Sequence, residues 1–188
     1  MKNLPRILLI LASLFLLALF VFPMWRITLI APQYPDGVTM YIWINKIGGD
    51  SPGTLQNINI LNHYIGMKKI EPDSIPELKY FQYIILGMVG LGLIFAGINK
   101  KWLFLTWFLL LVVLGILGLY DFYLWEYDYG HSLDPNAPMK FEDASFQPPL
   151  FGRKEIINFT AVSLPQIGGY FVGLSMVLGF LAWRWKKK

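Results

Sequence analysis

The stretch YDFYLWEYDYGH, residues 120–131, follows without a break on a charge-free run from Trp102 to Tyr120. Its reading decides the fold. If it is coil, the second outer loop starts at the membrane surface; if it is helical, the helix runs on beyond the bilayer. We read it as a prolongation of the helix, ended by Gly130, which releases the chain so that His131 can turn. On this helix Asp121, Trp125 and Asp128 share a face and Glu126 points elsewhere. The aromatics Tyr120, Phe122, Tyr123, Trp125, Tyr127 and Tyr129 suit the belt of a membrane interface, and equally a docking face for a partner.

Around this stretch the chain of 188 residues is 55% hydrophobic, with a mean hydropathy of +0.49. A soluble domain of that size would expose large apolar patches. Four charge-free runs stand out: Ile7 to Trp25, Tyr80 to Ile98, Trp102 to Tyr120 and Ile156 to Trp183. At about 1.5 Å per residue, about 19 residues reach roughly 28 Å, close to the hydrocarbon thickness of about 30 Å. The last run is longer than it needs to be. Pro165, Gly168 and Gly169 set the start of its helix near Leu164, with residues 156–163 leading into it. The expected fold is an α-helical membrane protein of one domain. Its four transmembrane helices are placed at about 7–25, 80–98, 102–120 and 164–183, and loops 26–79 and 121–160 form a small extracytoplasmic head.

Basic residues orient the chain, because lysine and arginine near a span resist translocation whereas acids influence it little. Lys2, Arg6, Lys100, Lys101, Arg184, Lys186, Lys187 and Lys188 flank one side with no acid, and all 12 acids fall on the other. Both termini are expected in the cytoplasm and both large loops outside it. The net charge of +4 then sums a basic inner rim and a mildly acidic outer surface, so no nucleic acid partner is expected. The tail RWKKK suits contact with anionic lipid. ALFVFPMWR, residues 18–26, offers no small-x-small cleavage site, so the first run reads as a retained anchor.

In the first loop, VTMYIWINK (38–46) alternates and is rich in β-branched and aromatic residues, which predicts a short strand. TLQNINILNHYIGM (54–67) has Thr54 as N-cap and an apolar rhythm, which predicts a short amphipathic helix. The proline-rich stretch 133–152 has no helical period and is expected to be an irregular cover. With zero cysteines, packing rather than disulfides must hold the two loops together.

Several function classes lack their residues. The spans carry Ser13, Gln82, Thr106, Ser163, Gln166 and Ser175 but no ionisable group, which argues against a transporter or proton pump. There is no nucleophile elbow, phosphate loop or HExxH, so no enzymatic activity is expected. Metal binding is the sharper possibility. Asn59, His63 and Met67 fall at successive i, i+4 positions and so along one helical stripe. A thioether with an imidazole suits cuprous ion where thiolates are absent, whereas imidazole with carboxylates suits zinc or cupric ion. The predicted ligands are His63, Met67 and His131, with Asp121 or Asp128 as helpers that orient the imidazoles, and copper is preferred over zinc. The rival reading is a metal-free scaffold or subunit that docks a partner through its aromatic loops.

Taken together, YPDGVTMYIWINKIGG (34–49), QNINILNHYIGMKKI (56–70) and LWEYDYGHSLDPNAP (124–138) resemble small four-span membrane proteins that accompany nitrous oxide reductase and copper-site assembly in some bacteria. The resemblance rests on the outer loops. It implies an accessory to exported copper chemistry, seated in the bacterial inner membrane with its loops in the periplasm. It also implies a periplasmic or membrane protein partner from that system.

Overall fold

A computed structural model describes residues 3–139 and 145–187. Four apolar helices make a bundle. The first, α1 (Leu4–Phe15), tightens into a 3₁₀ turn at Leu16–Phe20; the others are α3 (Glu77–Ile98), α4 (Lys101–His131) and α5 (Ile167–Trp185). A shorter helix, α2 (Thr54–Ile65), lies outside the bundle. Three helices rather than the expected four, α3 to α5, are long and apolar enough to cross a membrane on length and composition. The first apolar helix, Leu4–Phe20, falls short because the chain leaves it early to enter a strand at Trp25.

The bundle core is built around Trp107 of α4, which is fully buried and donates its indole N–H to the Met88 carbonyl of α3 at 2.8 Å. Glycines make its room. A Cβ at Gly92 would collide with Ser13 and lie 2.7 Å from the indole nitrogen, and one at Gly179 would lie 2.8 Å from the ring. Arg6, the Lys100–Lys101 turn and Arg184 gather at the bundle end away from the strands, where Lys186 donates to the Asn99 side chain at 2.8 Å.

At the other end stands a five-stranded antiparallel sheet in the order β3-β2-β1-β5-β4. Its strands are β1 (Trp25–Ala31), β2 (Tyr34–Ile42), β3 (Ile47–Gly49), β4 (Gly152–Ile156) and β5 (Phe159–Pro165). The head is therefore larger than a short strand with a helix, and the predicted strand 38–46 sits four residues too late. Residues 156–163 lead into the last helix as extended chain, most of them pairing in the β4–β5 hairpin, and that helix starts at Ile167 rather than near Leu164. The physical reason is pairing across the chain. β1 and β5 are the central strands, joined to each other in register from Trp25↔Pro165 to Ile30↔Thr160.

This pairing welds sheet to bundle. The Gln166 N–H donates to Met24 O and the Gly168 N–H to Pro23 O, both at 2.8 Å. A Cβ on Gly168 would lie 2.7 Å from Phe22 O, so glycine is required where helix and chain cross this closely. α1 and α5 pack side by side and feed adjacent strands.

As expected, α4 continues to His131, and its stretch 121–131 runs up beside the sheet. Gly130 does not release the chain. It remains helical, and its missing side chain admits residue 147, whose backbone a Cβ would strike, while the Phe146 N–H donates to Gly130 O at 3.0 Å.

Candidate functional site: a hollow head with one buried acid

Alternation along β1 sends Ile27, Leu29 and Ala31 to one face of the sheet, opposite Met40 and Val38 of β2 and Ala161 of β5. Arg26 and Thr28 go to the other face, where the Thr28 and Thr39 hydroxyls share a 2.9 Å hydrogen bond. Against the apolar face lie α2, through Ile58, and the outer part of α4, through Phe122, Trp125 and Tyr129.

The outer segments lock together here, as the absence of disulfides required. Asn59 of α2 donates to Ile70 O and accepts from the Ile70 N–H, and Asn62 donates to Lys68 O. The Tyr129 hydroxyl donates to Lys69 O at 3.1 Å. From the second segment, the Asp134 N–H donates to Gly66 O and the Met139 N–H to Tyr64 O.

These elements do not fill the space between them. A cavity of about 320 Å³ remains, within the usual size range of small-molecule sites. Ile27, Leu29 and Met40 floor it, Ile58 and Ile65 of α2 form one wall, and Trp125 and Tyr129 of α4 form another. Into this apolar lining comes the carboxyl of Glu126. It is 0% exposed, and neither of its oxygens has a hydrogen-bond partner among the described residues. Desolvation pushes its pKa up to about 8, because a charge in such surroundings loses its hydration without gaining a counter-ion. Among the described residues, the titratable groups that share the lining with it are the phenols of Tyr64 and Tyr129.

The residues predicted to bind metal are dispersed around this hollow. Gly66, at φ +80°, ends α2 in a left-handed turn in which its own N–H donates to His63 O and the Met67 N–H to Asn62 O. That turn breaks the stripe. Met67 swings into the cavity lining, while His63 is exposed and lies outside it. Asp128 is half-exposed and is held by Lys68 at 2.7 Å and by the Ser132 hydroxyl at 2.8 Å, and the Lys68 hydrogen bonds keep its carboxyl below the usual range. The exposed ring of His131 stacks on Tyr127 with centroids 4.0 Å apart, and its Nδ1 lies 2.9 Å from Tyr127 O. Asp121 stands further down α4, within electrostatic reach of Glu77 on α3. Among the described residues no three of His, Cys, Asp and Glu come together as a group that could hold a metal ion.

Sequence reasoning missed Glu126 by assigning it to a different face from Trp125. The signal was present: Phe122, Trp125, Glu126 and Tyr129 form an i, i+3, i+4, i+7 stripe, an acid set within an otherwise aromatic buried face. No family model, curated protein or solved structure matches this chain.

Proposed function

We propose that the chain is a membrane-anchored binding protein whose head takes up an apolar small molecule in the hollow between the sheet, α2 and the outer part of α4. The observation that carries this is the lone buried carboxyl of Glu126 in a largely apolar cavity of about 320 Å³. Protein interiors are packed to near-crystalline density, and an unfilled space beside an unpartnered polar group costs stability that a folding role does not recover. In this reading α3, α4 and α5 cross the bilayer, α1 packs against α5, and the basic bundle end lies in the cytoplasm with the head outside it.

The test is titration of the protein in lipid nanodiscs with the neutral fluorophore N-phenyl-1-naphthylamine. A saturable signal is expected, and it should disappear in Ile58→Phe, whose ring extends into the cavity, without a fall in melting temperature. A signal that is only linear, or unchanged in Ile58→Phe, refutes the proposal.

The copper-accessory reading has less support, since His63, His131 and Asp128 each have other surroundings as described. Its own test is direct: copper retained after loading and desalting, and lost in His63→Ala.

A further inference from the structure

We propose that the molecule held in this cavity is an organic cation, an apolar body carrying one protonated amine, with Glu126 as its counter-ion. This rests on the reading of the head as an apolar binding site and adds the ligand's charge.

The argument begins with what the lining lacks. Among the described residues it contains no lysine, arginine or histidine. Of the described bases nearby, Lys68 is tied to Asp128, Lys154 donates to Gln147 O, Lys69 is exposed, and Arg26 lies on the opposite face of the sheet. A buried acid is ordinarily paired, and among the described residues Glu126 has no such partner. A ligand ammonium supplies it with the correct sign, and the pair then shares a low-dielectric space in which a charge-assisted hydrogen bond is strong.

The walls favour the same class of ligand. Trp125 and Tyr129, with ring centroids 4.3 Å apart, stand next to the acid, and Phe146, Phe159 and Tyr64 line the cavity further round. Aromatic faces attract cations, most of all where water is excluded. Met40, Met67 and Met139 add polarisable, adaptable sulfur. An anionic ligand meets the opposite of what it needs, since no cationic side chain lines the site among the described residues.

Binding also moves a proton. In the empty cavity Glu126 is largely neutral at pH 7, its pKa being raised to about 8 by burial. An arriving ammonium stabilises the carboxylate, so the carboxyl proton leaves to solvent as the ion pair forms. Amine affinity therefore rises with pH between 6 and 8.

The experiment compares 2-phenylethylamine with its neutral counterpart 2-phenylethanol by calorimetric titration of the full chain in phosphatidylglycerol nanodiscs. The amine is expected to bind roughly tenfold or more tightly than the alcohol at pH 7, with proton release and with affinity that climbs toward pH 8. In Glu126→Gln that preference should vanish while alcohol binding persists. Proton release on the unaltered protein is an independent readout should the variant fold poorly. Equal binding of amine and alcohol, unchanged in Glu126→Gln, overturns the cation inference and leaves apolar binding standing; failure of both compounds and of the neutral fluorophore overturns both. Adding phosphatidylethanolamine to the discs separates two sources of the ammonium. Competition with the amine assigns it to a lipid headgroup, and no competition to a free molecule.

Discussion

Trp107 and Trp125 lie on the same helix, eighteen positions apart, which is about five turns and roughly 27 Å along the same face. Their surroundings differ completely. Trp107 is enclosed on every side, its N–H is satisfied by Met88 O, and Gly92 and Gly179 are hollowed out to receive it. Trp125 borders an open cavity beside an acid with no partner among the described residues. One face of α4 thus serves tight packing inside the bundle and a binding space in the head. The bundle is built for stability, whereas the head gives up stability for room.

The difference can be broken most forcefully at Trp107. Trp107→Ala should cost about 3 to 5 kcal/mol, because glycine neighbours cannot collapse into the void; thermal unfolding in detergent measures it, and Trp125→Ala should cost clearly less. If the two losses are equal, the contrast is unfounded.

Next comes Glu126. Its carboxyl has a folded-state pKa of about 8 against a model value of 4.5. A raised carboxyl pKa means the folded chain holds more protons than the unfolded one between those values, so stability is highest at low pH and falls as pH rises from about 4.5 to about 8. By pH 7 the loss should reach roughly 3 kcal/mol. Melting temperature followed from pH 5 to 8 should fall in the unaltered protein and fall much less in Glu126→Gln.

Three smaller effects sharpen the picture of the head. Gly130→Ala should cost about 1 to 3 kcal/mol, since its methyl meets the backbone of Gln147 and the neighbouring segment must shift; loss of head stability by hydrogen exchange, with the bundle unchanged, is the expected pattern. Ile157, at φ +55° in the β4–β5 turn, is a β-branched residue in a left-handed conformation. Ile157→Asn should therefore raise stability by about 1 kcal/mol in chemical denaturation. Smallest is the Lys68–Asp128 pair, whose side chains are each 49% exposed; Lys68→Ala should change stability by less than about 1 kcal/mol, and less still at high salt.

The residues themselves explain which expectations held. Three long apolar helices, the outward run of α4 through His131 and the helix at Thr54–Ile65 were legible because each depends on a local property: hydropathy over about 20 residues, or an apolar rhythm of 3.6. The β1–β5 pairing was not, because Trp25–Ala31 and Phe159–Pro165 lie at the margins of apolar runs and read as helix ends until their partner strand is known. The stripe Asn59, His63, Met67 is broken for a local reason, the left-handed turn at Gly66, a residue type that favours such a turn at a helix end.

From its residues alone this chain declares long apolar helices, a basic bundle end and polar segments gathered at the other, since hydropathy and charge act over short stretches and need no partner to be read. Where Glu126 ends up, and that it ends up alone, was decided by packing. An acid is buried or solvated according to what other parts of the chain bring to it, and here the sheet, α2 and the segment through Phe146 arrive from three distant parts of the chain to close around it, with no counter-charge among the described residues.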